Sequence, residues 1–271
     1  LARDWNPAIS ETLATTADWA QGEEEYWEAE VARISSGVMR HTGRAVIVDA
    51  ARLGGFPLAA ARRLVRHACQ LVKGDLRGLG FPHIEAILHL AKSTEGHGRL
   101  QAPGLDVIRS FHWLRFALPG SDTLENRNYG FPATPPAAFE IPGPGGSIRL
   151  ELIEKQETSS SRDCVYNNGS DCLDWETVSG GLQLRNWRPG DRYQPASRSA
   201  EEKIKTFFQE ERVPLWERRY WPVLADGSSI IWSRRFGASR RNAVHAATRM
   251  VLAIRDRGPD DSRPLSAGFR P

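Results

Sequence analysis

Residues 182–220 read LQLRNWRPGDRYQPASRSAEEKIKTFFQEERVPLWERRY. Leu182, Leu184 and Asn186 alternate with Gln183, Arg185 and Trp187, the period of two expected of a half-buried strand. Pro189-Gly190 then turns the chain: proline presets the first central dihedral and glycine accepts the positive φ that follows, which leaves Asp191 to bond local amides. Arg188 and Arg192 flank the reversal. Ser199 and Glu202 have the spacing of a capping box and predict a helix of about three turns. On it Ile204, Phe207 and Phe208 share one face, and Glu201 and Lys205 form an i,i+4 pair. Val213-Pro214 ends the helix. A strand, a turn and a helix this close together indicate a small α+β domain.

Working outward, Asp226-Gly227 sits between the strand patterns of 221–225 and 229–232 and signals a tight hairpin. Two basic pairs follow, Arg234-Arg235 and Arg240-Arg241, then a strand over 248–254; the tail from 258 to 271 reads as disordered. Upstream, residues 119–147 are rich in proline, glycine and small residues and read as extended connection. Residues 147–154 alternate as a strand, 158–163 as a loop, and Asn168-Gly169-Ser170 fits a glycosylation pattern that nothing else supports. Asn6-Pro7 opens a long helix with an apolar stripe through Ile9, Leu13, Ala17, Ala20, Trp27, Val31 and Ile34. The run 45–48 suggests an edge strand. Pro57 starts a helix over 58–72 in which Leu64, Ala68 and Leu71 pack and Arg62, Arg63 and Arg66 form a basic ridge; Gly74 ends it. Phe81-Pro82 starts another, with Ile84, Ile87, Leu88 and Ala91 inward, and Pro103-Gly104 joins two strands of a hairpin with a third strand over 111–118.

The expected fold is therefore α+β: a linker helix and helical domain with short strands over 1–118, an extended Pro/Gly-rich connection with strands over 119–181, a compact C-terminal domain over 182–257, and the tail 258–271. The chain has 271 residues, 40% of them hydrophobic, which suits one large or two medium domains. It contains no run of about eighteen apolar residues and no signal peptide. It does not begin with Met, which suggests a fragment. Three cysteines, Cys69, Cys164 and Cys172, favour reduced thiols in a cytosol over a Cys164–Cys172 bridge. The net charge is +3, yet residues 185–257 hold sixteen Lys/Arg against eight Asp/Glu, leaving the remainder at −5. Such asymmetry suits a C-terminal part that faces a polyanion.

Catalytic motifs are missing. There is no phosphate-binding G-x-x-x-x-G-K-[ST], no G-x-G-x-x-G, no G-x-S-x-G elbow and no S-G-G-x-D-S pyrophosphate loop. His83 and His89 lie six apart, wrong for one helical face, and no His/Cys grouping has metal-ligand spacing; all seven histidines read as structural or RNA-facing. What remains is binding. Cations beside aromatics, as in Trp187-Arg188, Arg192-Tyr193 and residues 218–221, suit a surface that holds phosphates and stacks on bases. Phe207, Phe208 and Trp232 read as core, whereas Arg188, Arg192, Lys203 and Lys205 read as phosphate contacts.

The runs RNWRPGDRYQP, EKIKTFFQEERVPLWERRYWPVL and IIWS resemble the C-terminal domain of the bacterial tRNA(Ile)-lysidine synthetase family, in which R-x-x-x-P-G-D-R, K-x-K-x-x-F and V-P-x-x-x-R-x-x-x-P-V recur in that order. WNPAISETLATTA resembles its linker helix, and RRLVRHAC with FPHIEAI its helical substrate-binding domain. The resemblance implies an ATP-dependent ligase that adenylates the wobble cytidine of a CAU anticodon and lets free lysine displace AMP. The catalytic loop belongs to an N-terminal domain that this chain lacks. The chain alone is thus expected to be non-catalytic and to hold no cofactor, ATP and Mg belonging to the missing domain. The expected partner is tRNA(Ile), with lysine and ATP reached through that domain, in the cytoplasm and with no membrane. Carried onto this sequence, Arg188, Asp191, Arg192, Lys203, Lys205 and Arg218 match the last domain's motif, and Arg63 and Arg66 the middle one. The sequence departs from the family at Ala200-Glu201-Glu202-Lys203, where a glycine and paired lysines are usual, and at Arg218-Arg219, where R-D is usual. The competing expectation is a protein-interaction or dimerisation module, including a homodimer through the N-terminal helix, without RNA contact.

Overall fold

A computed structural model describes residues 8–43, 45–121, 128–155 and 171–258. The chain divides into two compact units, Leu1–Asp122 and Thr123–Pro271. The expectations for Asn6-Pro7, residues 158–163, Asn168-Gly169-Ser170 and residues 259–271 lie outside the described residues.

In the first unit, helix α1 (Ile9–Ser35) leads into β1 (Met39–Thr42), β2 (Ala45–Asp49), α2 (Ala50–Gly55), α3 (Leu58–Lys73), α4 (Phe81–Lys92), β3 (His97–Ala102), β4 (Leu105–Ser110) and β5 (Trp113–Ala117). The strands form one antiparallel sheet in the order β1-β2-β5-β4-β3. Leu64, Val65 and Ala68 of α3 and Ile84, Ile87 and Leu88 of α4 share a core with Val46, Val48, Val107 and Phe116 of the sheet. Each fully buried aliphatic side chain contributes about 1.5–3 kcal/mol, so these two helices are held chiefly by their apolar faces. Asp49 starts α2 by accepting the amides of Ala51 and Arg52 (2.9 and 3.0 Å). Gly74, at φ 87°, closes α3 in the left-handed conformation that a Cβ disfavours. Arg109 closes α4, its Nη1 donating to the carbonyls of Leu90 and Ala91 at 2.6 Å each.

Several expectations for this unit change. The run 45–48 is not an edge strand: β2 lies between β1 and β5 and is buried over Ala45–Val48, whereas β1, with its mixed MRHT sequence, takes the edge. Leu71, in the last turn of α3, faces solvent although its i, i+4, i+7 spacing from Leu64 and Ala68 places it on their stripe. The stripe of α1 is buried only at Val31 and Ile34, because the helix runs past its supporting core; Leu13, Trp19 and Tyr26 are exposed. No helix among the described residues is long and apolar enough to cross a membrane.

The second unit comprises β6 (Gly130–Pro132), β7 (Ala137–Glu140), β8 (Ser147–Glu154), β9 (Cys172–Asp174), β10 (Leu182–Asn186), β11 (Arg192–Tyr193), β12 (Glu202–Lys203), α5 (Ile204–Glu210), α6 (Leu215–Arg218), β13 (Pro222–Asp226), β14 (Ser229–Ser233), β15 (Gly237–Ala238) and β16 (Met250–Arg257). One sheet has the order β15-β14-β13-β10-β6, another β7-β8-β16-β9, and β11 pairs with β12 alone. Leu150, Leu184, Leu224, Trp232 and Leu252 occupy the core of this unit. Trp221 and Trp232 are fully buried, and each indole N–H finds an acceptor, Ser233 Oγ and Asp171 Oδ1, both at 3.0 Å. The proline-rich stretch thus contributes strands to both sheets, since β6 pairs with β10 and β7 with β8.

Other expectations for this unit change as well. Ser199 and Glu202 do not cap the helix: residues 202–203 run extended to pair with β11, so α5 begins at Ile204, whose amide donates to Asp191 O (3.0 Å). The helix is consequently only seven residues long, and Glu201 precedes it rather than pairing with Lys205. Arg234 of the basic pair Arg234-Arg235 is buried and tied to Asp256 and to Gly145 O (2.8 Å). Cys172 is disulfide-bonded rather than free; Cys69 is a buried free thiol whose pKa burial pushes up to about 12.

Candidate nucleic-acid interface

The site is built on the turn after β10. Trp187 N donates to Trp221 O (2.9 Å), which keeps the end of β10 against the start of β13. The chain then reverses over Arg188–Asp191, with Asp191 N donating to Arg188 O (3.0 Å) and Gly190 at φ 98°. Asp191 Oδ2 accepts the amide of Arg188 (2.7 Å) and Nη1 of Arg185 (2.8 Å), and its Oδ1 accepts Nη2 of Arg185 (3.0 Å). Both side chains are largely buried, 9% and 14% exposed. A bidentate, desolvated pair fixes geometry far better than an exposed one. Asp191 is therefore placed as the internal brace of the turn, and Arg188 is held exposed above it.

Arg192 and Lys203 come next. They are directly opposed in the β11–β12 pair, an arrangement of like charges that costs stability. It is tempered by Glu201, 3.6 Å from Arg192 Nε, in a pair that is about half exposed on both sides and so contributes little. Lys205 is exposed in the first turn of α5. The structure thus brings Arg188, Arg192, Lys203 and Lys205 onto adjoining segments. Among the described residues, Arg188, Lys203 and Lys205 have no carboxylate at ion-pair distance.

The floor beneath these cations is aromatic. Phe208 meets Trp187 and Trp221 edge-on at ring-centre separations of 5.0 and 5.1 Å, and Tyr193 meets Phe207 at 5.8 Å. This corrects the expectation of base stacking at Tyr193 and Trp221, which are 3% and 1% exposed; alternation on β11 turns Tyr193 inward beside exposed Arg192, and Trp221 packs against Phe208 ahead of β13. The Tyr193 hydroxyl has no hydrogen-bond partner among the described residues, and burial pushes its pKa up.

Arg218 does not join the cationic surface. It is buried on α6, donating Nε–H to Val213 O (2.9 Å) above the Phe208 ring, and burial lowers its pKa. Arg63 and Arg66 lie in the other unit, on α3. Arg63 is paired with Glu24 of α1 and sits over the Trp27 ring; this hydrogen bond is the main reason the Glu24 carboxyl lies below its ordinary pKa. Arg66 is exposed. Arg62 is paired with Glu85 at 2.7 Å. Sequence reasoning missed Arg185 as a functional support; an arginine six residues before an aspartate, across a Pro-Gly turn, was the available signal. No group of three or more His, Cys, Asp and Glu that could hold a metal ion occurs among the described residues.

The chain is thus a protein of two α+β units, the second displaying a braced turn rimmed by exposed cations. One family model, the TilS substrate binding domain, matches residues 49–115, and another, the TilS substrate C-terminal domain, matches residues 182–253; together they span just over half of the chain. The chain belongs to the tRNA(Ile)-lysidine synthase family. It is 48% identical over 254 residues to tRNA(Ile)-lysidine synthase of Solibacter usitatus, covering 94% of this chain and 57% of that protein. The synthases of Symbiobacterium thermophilum and Geobacter sulfurreducens are 31% and 30% identical, with 94% and 93% of this chain aligned to 54% and 53% of theirs. The chain thus spans little more than half the length of these curated relatives.

Proposed function

We propose that this chain is the tRNA-holding portion of a ligase that converts the wobble cytidine of tRNA(Ile) with a CAU anticodon to lysidine. ATP, Mg and lysine are handled by a domain outside this chain, and the work is done in the cytoplasm, where the tRNA is. Arg188, Arg192, Lys203 and Lys205 contact phosphates, Asp191 orients the turn, and Arg66 supplies a contact from the first unit. Arg63 acts through its pair with Glu24, and Arg218 through packing.

The observation that carries this reading is the brace under the turn: a buried Arg185–Asp191 pair holds an exposed arginine beside a strand pair that sets Arg192 against Lys203. Positioned cations of this kind release counterions when they meet phosphates, so binding weakens steeply with salt. Titrating labelled tRNA(Ile) with the purified chain across a salt series tests the proposal. Binding that is absent or independent of salt contradicts it.

A further inference from the structure

We propose that Arg240 and Arg241 extend the phosphate-binding surface of the braced turn, so that the second unit follows a run of RNA backbone rather than gripping it at one point. The inference rests on the reading of the turn given above. In sequence the two arginines lie far from Lys205, yet the fold brings their loop against the segment that leaves Arg192. Ala196 N donates to Ala238 O (2.9 Å), Pro195 and Ser239 form a β-bridge, and Arg240 N donates to Gln194 O (2.8 Å). Gln194 is only two residues beyond Arg192. Arg240 Nη1 also donates to Arg198 O (3.2 Å), spanning the two segments.

The loop is held from within as well. Residues Arg240–Asn242 form a 3-10 turn whose Asn242 amide donates to Ser239 O (3.0 Å). Ser239 Oγ donates to Asn242 Oδ1 (2.6 Å), and Asn242 Nδ2 donates to Thr177 Oγ1 (2.7 Å). Ser239 and Asn242 are buried while Arg240 and Arg241 are exposed. Neither arginine has a carboxylate at ion-pair distance among the described residues, whereas nearby Arg198 is paired with Glu210. A freely solvated arginine does not require such anchoring. Two un-neutralised guanidinium groups on a rigid loop beside a cationic turn raise the local potential and pay little ordering entropy when they bind an anion. Contacts of this type position an RNA without reading its bases.

The test compares three variants of the chain in tRNA binding over a salt series: Arg240→Ala with Arg241→Ala, Arg241→Glu alone, and Arg188→Ala with Arg192→Ala. Arg241→Glu guards against misfolding, since among the described residues Arg241 holds no side-chain partner whose loss would unfold the loop; its melting temperature is expected to match the unmodified chain. The double Arg240/Arg241 variant is expected to bind roughly ten-fold more weakly, with the slope of log K against log salt smaller by about two. Arg241→Glu alone is expected to weaken binding several-fold. Wild-type affinity and slope in both folded Arg240/Arg241 variants, alongside impaired Arg188/Arg192 binding, would overturn the extension and leave the turn reading standing. If the unmodified chain shows no salt-dependent tRNA binding, the turn reading fails and takes this inference with it.

Discussion

Asp191 accepts both terminal nitrogens of Arg185 and, through the same Oδ2, the backbone amide of Arg188. One carboxylate therefore ties strand β10 to the turn that presents the cations. Because the pair is largely buried, removing one partner strands the other's charge in a poorly hydrated site, at a cost of about 3–5 kcal/mol. Asp191→Ala is expected to lower the denaturation midpoint accordingly and to weaken tRNA binding even at temperatures where the variant is fully folded. A folded Asp191→Ala chain with unchanged stability would show that the brace is dispensable.

Arg218 offers a contrast. It matches a family motif position, but its guanidinium is directed into the protein, where Nε donates to Val213 O. Arg218→Ala should destabilise by about 1–3 kcal/mol, the cost of leaving a buried acceptor unpaired, while the folded fraction keeps its affinity and salt slope for tRNA. Chemical denaturation and binding titrations together separate the two effects.

Asp171 gives a pH prediction. Burial raises its pKa, and this outweighs the opposing hydrogen bond from Trp232; Asp256 adds to the rise. The folded state thus holds this proton to higher pH than the unfolded chain does. The group's unfavourable contribution is absent below the unfolded pKa, grows through the interval up to the folded pKa, and is fully present above it. Asp171→Asn keeps an oxygen for the Trp232 indole and should raise the melting temperature at neutral pH, with the gain vanishing in acid. Melting curves across pH check it; a gain independent of pH would point to another cause.

On α3 the two candidate arginines are not equivalent. Arg63 is already engaged by Glu24 and Trp27, whereas Arg66 is exposed. Arg66→Ala should therefore reduce tRNA affinity and the salt slope with no loss of stability. Arg63→Ala should mainly loosen α1 from α3, detectable as faster amide exchange in α1. Equal effects of both on binding alone would contradict the distinction.

The strongly periodic elements were legible because a single period determined them: α4 buries Ile84, Ile87, Leu88 and Ala91 as read, and the hairpins at Pro103-Gly104 and Asp226-Gly227 form. The readings that changed were those in which local chemistry competes with tertiary pairing. The Ser199/Glu202 spacing is a sound capping signal, but pairing of residues 202–203 with β11 satisfied those backbone groups first. For the site, the motif R-x-x-x-P-G-D-R contains both Arg185 and Asp191, but that the two pair under the turn was not legible from it. Whether Arg185, Arg218 and Arg234 face solvent or carboxylates and carbonyls depends on contacts across the fold, and a list of charges carries no such information. The same limit hid the approach of Arg240 to Gln194, 46 positions apart in sequence.

The most direct measurement of the central claim is the salt dependence of tRNA(Ile) binding by Arg188→Ala/Arg192→Ala beside the unmodified chain, with melting temperatures recorded for both. The account predicts unchanged melting, affinity lower by roughly ten-fold, and a slope of log K against log salt smaller by about two. Equal affinity and equal slope in a folded double variant would contradict it and return the braced turn to a purely structural role.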